Sequence, residues 1–201
     1  MLNKKYIHPE KNAHFVKLWQ RSVVGDKHAF CQLVEAHYQV LFNYGATLTT
    51  NHELLKDVLQ ELFIHLWEKR ERIEIQYFTI YLLRALRNNL FLSFRENPTS
   101  SVTIEETAHE PTDESTIENL LIFQEIDSEK KQKIKRALAS LPKRQKEIVF
   151  LKYYEGLTHE QIAGVMELNR QSVANLLHKA LLSLRSGFDQ LHYVLAFLFY
   201  W

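Results

Sequence analysis

Apolar side chains recur at three- and four-residue spacing along most of this chain, a period that is typical of amphipathic α-helices. The pattern predicts a short first helix that ends at Gly25, and then helices over about residues 27–49, 50–70, 77–94, 130–140 and 142–154. The 201 residues include only five Gly and four Pro, so helix breakers are few. We therefore expect an all-α protein.

The most distinctive helical pattern lies at Gly156–Leu184, where two short helices are separated by a tight turn. Thr158 and Gln161 have the spacing of a capping box, and Asn169 suits the N-cap of the second helix. The second helix begins with a polar, partly basic surface, as in helix-turn-helix motifs that enter the major groove of DNA. An αα-hairpin that only packs in a core would show the same apolar pattern.

The helical pattern is interrupted after Asn97-Pro98 by a segment with two prolines, many Ser and Thr residues and no sustained period. This composition predicts a flexible linker between two small helical domains. The predicted organisation is a first domain over 1–97, a linker over 98–128, a second domain over 129–187 and an apolar tail over 188–201. The tail is too short to span a bilayer, and we expect it to pack on the last domain or on a partner, with membrane contact as the alternative.

The formal net charge of +1 conceals a strong asymmetry along the chain. Residues 96–118 contain seven acidic side chains and no Lys or Arg, whereas residues 129–185 contain twelve Lys and Arg against five Glu, a net charge of +7. A basic helical domain behind an acidic linker indicates a polyanionic partner for that domain.

Two predicted helices of the first domain carry polar faces that a core does not need. On the helix over 50–70, predicted to start with a capping box at Thr50 and Glu53, the face opposite the core presents Asp57, Gln60, Glu61 and Ile64. The pair Asp57 and Glu61 could be catalytic carboxylates, but no nucleophile or metal ligand accompanies them, which favours a solvated or protein-binding face. On the helix over 77–94, one side presents Arg84, Arg87, Asn88, Phe91 and Arg95. Basic groups interleaved with an aromatic ring suit single-stranded nucleic acid, although exposed arginines on a helix are common.

No catalytic or cofactor-binding constellation is recognisable in the sequence. The ten histidines form no close metal-ligand set, and no Gly-rich phosphate loop is present. The single cysteine, Cys31, lies in an apolar stretch and is expected to be a buried structural thiol in a reducing compartment. No N-terminal signal pattern is found. These observations predict a cytoplasmic binding protein without enzyme activity, metal, cofactor or small-molecule substrate.

Several of these motifs, in this order, resemble the small extracytoplasmic-function sigma factors of bacterial RNA polymerase. The stretch Asp57–Trp67 is similar to the family signature D-x-x-Q-E-x-F-x-x-x-W, and the later pattern Tyr81-Leu82, Arg87-Asn88 and Arg95 resembles W-L, R-N and R. Gly25-Asp26 with Ala29-Phe30 matches the usual opening of the first conserved region, and Leu141-Pro142, Gly156-Leu157-Thr158, Glu160 and Ile162-Ala163 match the last module. The resemblance covers about residues 25–95 and 134–185.

The resemblance implies a role for each polar surface. Asp57, Gln60, Glu61 and Ile64 would dock on the clamp helices of the largest subunit of core RNA polymerase. The loop Arg70–Gln76 and the residues Arg84, Arg87, Asn88 and Arg95 would capture the melted −10 element. The acidic linker would lie in the channel of the nascent RNA. The second helix of the last module would read the −35 element of promoter DNA with Arg170, Gln171, Ser172, Asn175, His178 and Lys179. Many family members are held inactive by an anti-sigma protein that is frequently membrane-spanning, which makes such a protein a candidate partner.

This chain departs from the family pattern at three places. Tyr81 stands where Trp is usual, and Glu167 replaces the usual Gly of the helix-turn-helix turn. Several positions of the second helix that are often basic are apolar here, among them Leu181 and Leu182, which lowers the expected electrostatic contribution to −35 binding. The alternative function is a helix-turn-helix regulator that binds DNA without polymerase, and a further alternative is a protein–protein adaptor.

Overall fold

The computed structural model of the chain describes residues 9–96, residue 134 and residues 136–186. The helices with defined bounds are α1 (Pro9–Val23), α2 (Lys27–Gly45), α3 (His52–Glu68), α4 (Phe78–Glu96), α5 (Lys143–Val149), α6 (His159–Met166) and α7 (Arg170–Ser186). A 3-10 turn, Arg70–Arg72, follows α3, and a π-helical turn, Phe150–Tyr154, continues α5. The described residues contain no strand, so the predicted all-α class is confirmed. The predicted acidic linker, 98–128, and the apolar tail, 188–201, lie outside these residues.

Helices α1–α4 form an N-terminal module, residues 9–96, around one apolar core. Helix α1 packs on α2, and α2, α3 and α4 pack pairwise on one another. The helical period predicts a core face on α3, and its members Leu55, Val58, Leu59, Leu62 and Leu66 are buried, while Leu54 and Phe63 are partly buried against the core. Gly45, at the end of α2, lies so close to α3 that an added Cβ atom would collide with the Leu55 side chain. An alanine at this position would therefore force the Leu55 side chain to move away from α2.

His37 is a polar residue inside this core and has partners for both ring nitrogens. Its Nδ1–H donates to the Leu33 carbonyl at 2.8 Å, and its Nε2 accepts from the Thr79 hydroxyl at 3.0 Å. The Phe15 and Phe78 rings contact it edge to face. Burial lowers the pKa of His37 to about 4, since water cannot solvate the charged ring there. His37 is thus a neutral structural histidine at neutral pH.

Helices α5–α7 form a C-terminal module, residues 136–186, whose buried side chains join those of the N-terminal module in one apolar cluster. Ile148 and Leu151 pack with residues from the two helices of the predicted helix-turn-helix, namely Ile162, Val165, Met166, Val173, Leu177 and Ala180. The helical period predicts that α5 runs from Pro142 to Tyr154. It begins at Lys143 after Pro142, within the usual uncertainty of a helix end, and its last turn widens into the π-helix.

Two local predictions are wrong. The N-cap of α3 is Asn51, whose side chain accepts from the Leu54 amide at 3.0 Å, so Thr50 and Glu53 form no capping box. Glu53 instead pairs with Lys56 at 2.8 Å. Cys31 is exposed rather than buried. The inward positions of α2 recur every four residues from Ala29 through Leu33, and Cys31 lies midway between these two, on the opposite side of the helix.

The two modules contact each other along α2 and α4 of the first and α5, the π-turn and α6 of the second. The Tyr44 ring at the end of α2 is fully buried and stacks on Phe150 with 5.7 Å between ring centroids. Asn43 donates to the Tyr154 hydroxyl at 3.2 Å. We call this region, together with the ion pairs described below, the inter-module contact. Within the described residues, no helix is both long and apolar enough to cross a membrane.

Candidate nucleic-acid and polymerase interfaces

Helix α3 presents a polar face to solvent on the side away from the core. Asp57, Gln60, Glu61 and Ile64 all lie on this face and are exposed, and the apolar Ile64 is 47% exposed. Within the described residues, Asp57, Gln60 and Glu61 make no side-chain hydrogen bond or ion pair. Two acidic groups and an amide beside an uncovered isoleucine form a surface that can bind a partner with basic and apolar groups.

The connection between α3 and α4 is anchored by a stacked arginine. The Arg70 guanidinium lies over the Trp67 ring, 4.3 Å from its centroid, and its Nη1 donates to the Trp67 carbonyl at 2.8 Å. The Trp67 ring also contacts Phe30 of α2. The first residue of the predicted loop 70–76 is therefore held on Trp67 of α3. Further along the loop, Arg72, Glu74 and Gln76 are exposed.

The four residues of α4 that are predicted to bind the −10 DNA strand differ in their exposure to solvent. Arg84, Asn88 and Arg95 are exposed, but Arg87 is only 7% exposed. Its Nε donates to Glu147 Oε1 at 2.8 Å, and its guanidinium lies 4.3 Å from the centroid of the Phe91 ring. The prediction of one continuous exposed basic face is therefore wrong at Arg87, because α5 of the other module covers it.

Glu147 is the acceptor at the centre of the inter-module contact. The same oxygen that binds Arg87 accepts from the Tyr44 hydroxyl at 2.7 Å, and Glu147 is 1% exposed. Burial is the largest cause that raises the pKa of Tyr44 well above its usual value, and the nearby Glu147 charge raises it further. Tyr44 is thus a hydrogen-bond donor at all physiological pH values.

A second carboxylate of the C-terminal module lies over the exposed part of α4. Glu167 Oε1 accepts from Arg84 Nη2 at 3.1 Å and from Asn88 Nδ2 at 3.2 Å. The pKa of Glu167 is lowered by the hydrogen bond from Asn88 and then by that from Arg84. The sequence analysis predicts no contact of Glu147 or Glu167 with α4. The only feature of the sequence that sets either residue apart is that Glu167 stands where Gly is usual in the turn.

Helices α6 and α7 have the arrangement predicted for a helix-turn-helix. Thr158 and Gln161 form the predicted capping box with both hydrogen bonds present, and the Asn169 side chain accepts from the Ser172 amide at 2.7 Å. The turn between the helices is made by Glu167, whose φ of 55° and ψ of 46° place it in the left-handed region. Glycine adopts this conformation without strain, so Glu167 is held there by its surroundings.

The predicted DNA-reading residues occupy the first half of α7. Arg170, Gln171, Asn175, His178 and Lys179 are exposed, while Ser172 is half-buried. Gln171 donates to Asn175 at 3.0 Å, and Arg170 pairs with Glu160 of α6 at 3.1 Å. The helix therefore offers amide, imidazole and cationic groups along one side, as needed to contact bases and phosphates in a major groove. Among the described residues, no group of three or more His, Cys, Asp or Glu could hold a metal ion.

Two family models match the chain in the regions that carry these surfaces. Residues 33–97 match the model of sigma-70 region 2, and residues 131–184 match that of sigma-70 region 4. Together they cover more than half of the chain. A comparison of the sequence with curated proteins gives no match.

Solved structures share the fold. The structure of CnrH in complex with the cytosolic domain of CnrY matches with a TM-score of 0.60 at 18% identity, over 88% of this chain and 97% of that chain. The sigma factor RpoE in complex with the anti-sigma factor NepR, from Bartonella quintana, matches with a TM-score of 0.58 at 20% identity, over 81% of this chain and 98% of that chain.

These findings define a promoter-specificity subunit, with a region 2 helical bundle and a region 4 helix-turn-helix. The chain belongs to the sigma-70 family and is a sigma factor of the extracytoplasmic-function type, the class that binds core RNA polymerase and directs initiation at promoters.

Proposed function

We propose that this sigma factor divides its work among three surfaces on the two modules. The exposed face of α3 binds core RNA polymerase, the face of α4 holds the melted −10 strand, and the first half of α7 reads the −35 element. In this proposal residues 1–97 are the polymerase and −10 domain, 98–128 the linker, 129–187 the −35 domain and 188–201 the tail. The protein acts in the cytoplasm and has no catalytic activity of its own.

The main support for polymerase binding by α3 is that its polar face is exposed and has no partner among the described residues. Asp57, Gln60 and Glu61 are exposed and make no side-chain hydrogen bond or ion pair with other described residues, and Ile64 is an uncovered apolar side chain beside them. Exposed acids on a helix usually contribute little to stability, so neither folding nor the core explains this grouping. A partner helix with basic and apolar side chains would complete it, as the clamp helices of the largest polymerase subunit do in the family.

The −10 assignment is supported by the donor groups of α4. Arg84, Asn88 and Arg95 are exposed along the helix, and Phe91 is partly buried between them. Guanidinium groups bind phosphate and stack on bases, and an amide reads base edges. Arg87 would join this set only after Glu147 has moved away from it.

The −35 assignment is supported by the geometry of α6 and α7. The turn and its caps present Gln171, Asn175 and His178 on one exposed side, while Arg170 and Lys179 supply positive charge. Phosphate contacts would position α7, and the amide side chains would specify bases. Apolar side chains such as Leu181 and Leu182 stand at positions of α7 that are often basic in the family, so the salt dependence of −35 binding should be lower than for a more basic recognition helix.

An anti-sigma protein is the further partner that we propose. The relatives CnrH and RpoE are described in complexes, with the cytosolic domain of CnrY and with the anti-sigma factor NepR. The shared fold over most of the chain supports a similar partner for this protein. We propose no small-molecule substrate.

Polymerase binding tests the assignment most sharply. The double variant Asp57→Arg/Glu61→Arg reverses the charge of the α3 face without touching the core. In a pull-down with core RNA polymerase, the wild type should be retained and this variant lost. The matched control Glu10→Arg/Glu35→Arg makes the same charge change at exposed positions of α1 and α2 and should be retained. Retention of the α3 variant at the wild-type level would refute the docking face.

A further inference from the structure

Helix α1 holds the loop between α3 and α4 at both ends of its non-helical part. The Trp19 indole Nε1–H donates to the Ile73 carbonyl at 3.4 Å. Asn12, about two turns earlier on α1, donates from Nδ2 to the Gln76 carbonyl at 2.8 Å, and its Oδ1 accepts from the Phe78 amide at 3.1 Å. These contacts join residues that are 54 to 66 positions apart in the sequence, so they depend on the packing of α1 beside the loop.

The loop backbone has few other restraints between these contacts. Within the described residues, no backbone–backbone hydrogen bond involves residues 74–76. Ile75 is buried in the core, whereas Glu74 and Gln76 on either side of it are exposed. A loop without hydrogen bonds of its own takes many conformations unless other groups hold it, and ordering it at the moment of binding costs free energy. The two side chains of α1 therefore restrict the loop before any ligand arrives.

The start of α4 shows a second service of α1. The first amides of a helix need an acceptor, which is usually a Ser, Thr, Asp or Asn side chain at the N-cap. Tyr77 stands directly before the first residue of α4, and its phenol hydroxyl is too far from its own backbone to be such a cap. Asn12 supplies the acceptor from another helix, and the Tyr77 ring is left 47% exposed beside the loop. The cap is thus provided without the use of a loop residue.

Asn12 and Trp19 have the chemistry that these contacts need. An amide can donate and accept at the same time, so Asn12 holds the loop and caps α4 with one side chain. The indole is only a donor, and Trp19 is 3% exposed and packs beside the Phe78 ring, with 5.6 Å between centroids. A side chain that is locked in the core holds its partner accurately, which is what a binding loop requires of the residues behind it.

We propose that Asn12 and Trp19 are positioning residues for −10 recognition: they fix the backbone of the loop, so that the exposed side chains of residues 72–77 meet an unstacked base in one arrangement. The proposal rests on the proposed function, in which this part of the chain holds the melted −10 strand. Neither residue needs to touch DNA. Their loss should reduce the discrimination between bases more than the general affinity for a strand, because contacts to phosphate tolerate a mobile loop and base readout does not.

The test uses the full chain bound to core RNA polymerase. A pool of fluorescein-labelled single-stranded DNA with a randomised central stretch is selected on the wild-type complex, which gives a preferred strand. A scrambled strand of the same composition serves as the reference. Fluorescence anisotropy then gives the ratio of the affinities for the preferred and the scrambled strand. This ratio does not respond to a change in net charge, because such a change acts on both strands alike.

Three variants separate the contacts of α1. Trp19→Phe keeps an aromatic ring in the core and removes only the donor to the Ile73 carbonyl. Asn12→Ala removes the contact with Gln76 and the cap of α4 together. Asn12→Asp keeps an acceptor for the cap but has no donor for the loop.

Two controls separate positioning from stability. Gly45→Ala strains the same module, because its added Cβ would meet Leu55 near the start of α3, at the opposite end of that helix from the loop. Gln20→Ala removes an exposed amide of α1 itself. Circular dichroism checks that each variant is folded, and the conservative Trp19→Phe keeps the test valid if Asn12→Ala does not fold.

We expect the wild-type complex to prefer its selected strand by about tenfold or more. All three variants should lower this ratio at least about threefold, with the affinity for the scrambled strand within about twofold of the wild type. Asn12→Asp should also recover most of the resistance to urea that Asn12→Ala loses, since a carboxylate caps a helix as well as an amide does. Both controls should keep the wild-type ratio.

An unchanged ratio in folded Asn12→Ala and Trp19→Phe would overturn the proposal, and so would an equal loss in Gly45→Ala, which would trace the effect to stability alone. Recovery of the ratio in Asn12→Asp would overturn the positioning role of Asn12 and leave it a capping residue. In all of these cases the wild type still discriminates, so the proposed function stands. A wild-type complex that binds both strands equally would instead refute the −10 assignment, and the positioning proposal with it.

Discussion

The buried pair between Arg87 and Glu147 should show strong energetic coupling. We predict that Arg87→Met and Glu147→Leu each lower the free energy of unfolding by about 3–5 kcal/mol, because each change leaves the other charge buried without its partner. Side-chain exposures of 9% and 2% leave little water to solvate the surviving charge. The cost for Glu147→Leu should be near the lower end, since Arg87 keeps its contact with the Phe91 ring.

The double variant Arg87→Met/Glu147→Leu should be more stable than either single variant. No buried charge remains in it, and the loss is then mainly the orphaned Tyr44 hydroxyl, about 1–3 kcal/mol. The coupling energy between the two positions should therefore be at least about 3 kcal/mol. If one of the single substitutions makes the two modules separate, water solvates the remaining charge. The loss in the free energy of unfolding is then no larger than the free energy of the inter-module contact itself.

The assay is equilibrium unfolding in urea, followed by far-ultraviolet circular dichroism and tryptophan fluorescence. Fluorescence is measured with Trp201 replaced by Phe, so that it reports only on Trp19 and Trp67 of the N-terminal module. A transition that differs between the two probes then shows independent unfolding of the modules. Tyr44→Phe in the double-variant background removes the orphaned hydroxyl and should restore part of the loss. Additive single effects, with a coupling below about 0.5 kcal/mol, would refute a buried ion pair at this position.

Three further predictions concern the modules themselves. The pKa of His37 is about 4 in the folded protein and about 6.5 in the unfolded chain. Between pH 6.5 and pH 4 the unfolded chain therefore binds a proton that the folded protein does not. The free energy of unfolding should fall by up to about 3 kcal/mol as the pH drops over this range. Chemical unfolding at several pH values checks this, and His37→Gln should lose that part of the pH dependence. Gly45→Ala should destabilise by about 1–3 kcal/mol in thermal unfolding because its Cβ would overlap Leu55, whereas the control Gly164→Ala, with open space around it, should be neutral or stabilising. Thr158→Ala should cost about 1 kcal/mol in urea unfolding through loss of the capping box, and an unchanged midpoint would contradict the cap.

Sequence reasoning succeeded where structure depends on neighbouring residues. The helical period fixed the helices and the core face of α3, and the capping box at Thr158 and the N-cap at Asn169 are local patterns that the structure confirms. It failed by one residue at the start of α3, where Asn51 competes with Thr50 for the same role. It also failed at Cys31, because an apolar neighbourhood does not fix the side of the helix on which a residue lies.

Contacts between distant segments could not be predicted in this way. Arg87 and Glu147 are 60 residues apart, and each has an ordinary amphipathic surrounding in the sequence. The helical period does not show that α5 packs over α4, so the sequence predicts an exposed Arg87. Glu167 was recognised as unusual for the turn, but its carboxylate finds Arg84 only when the two modules are packed together.

The central claim is that the chain gives core RNA polymerase its promoter specificity, and transcription in vitro tests it most directly. Core polymerase, purified chain and genomic DNA from its own organism should yield discrete start sites that share sequence elements near −10 and −35. Asp57→Arg/Glu61→Arg should abolish these transcripts, and Glu10→Arg/Glu35→Arg should not. Absence of any transcript beyond those of core polymerase alone, with folded wild-type protein that binds the polymerase, would contradict the account.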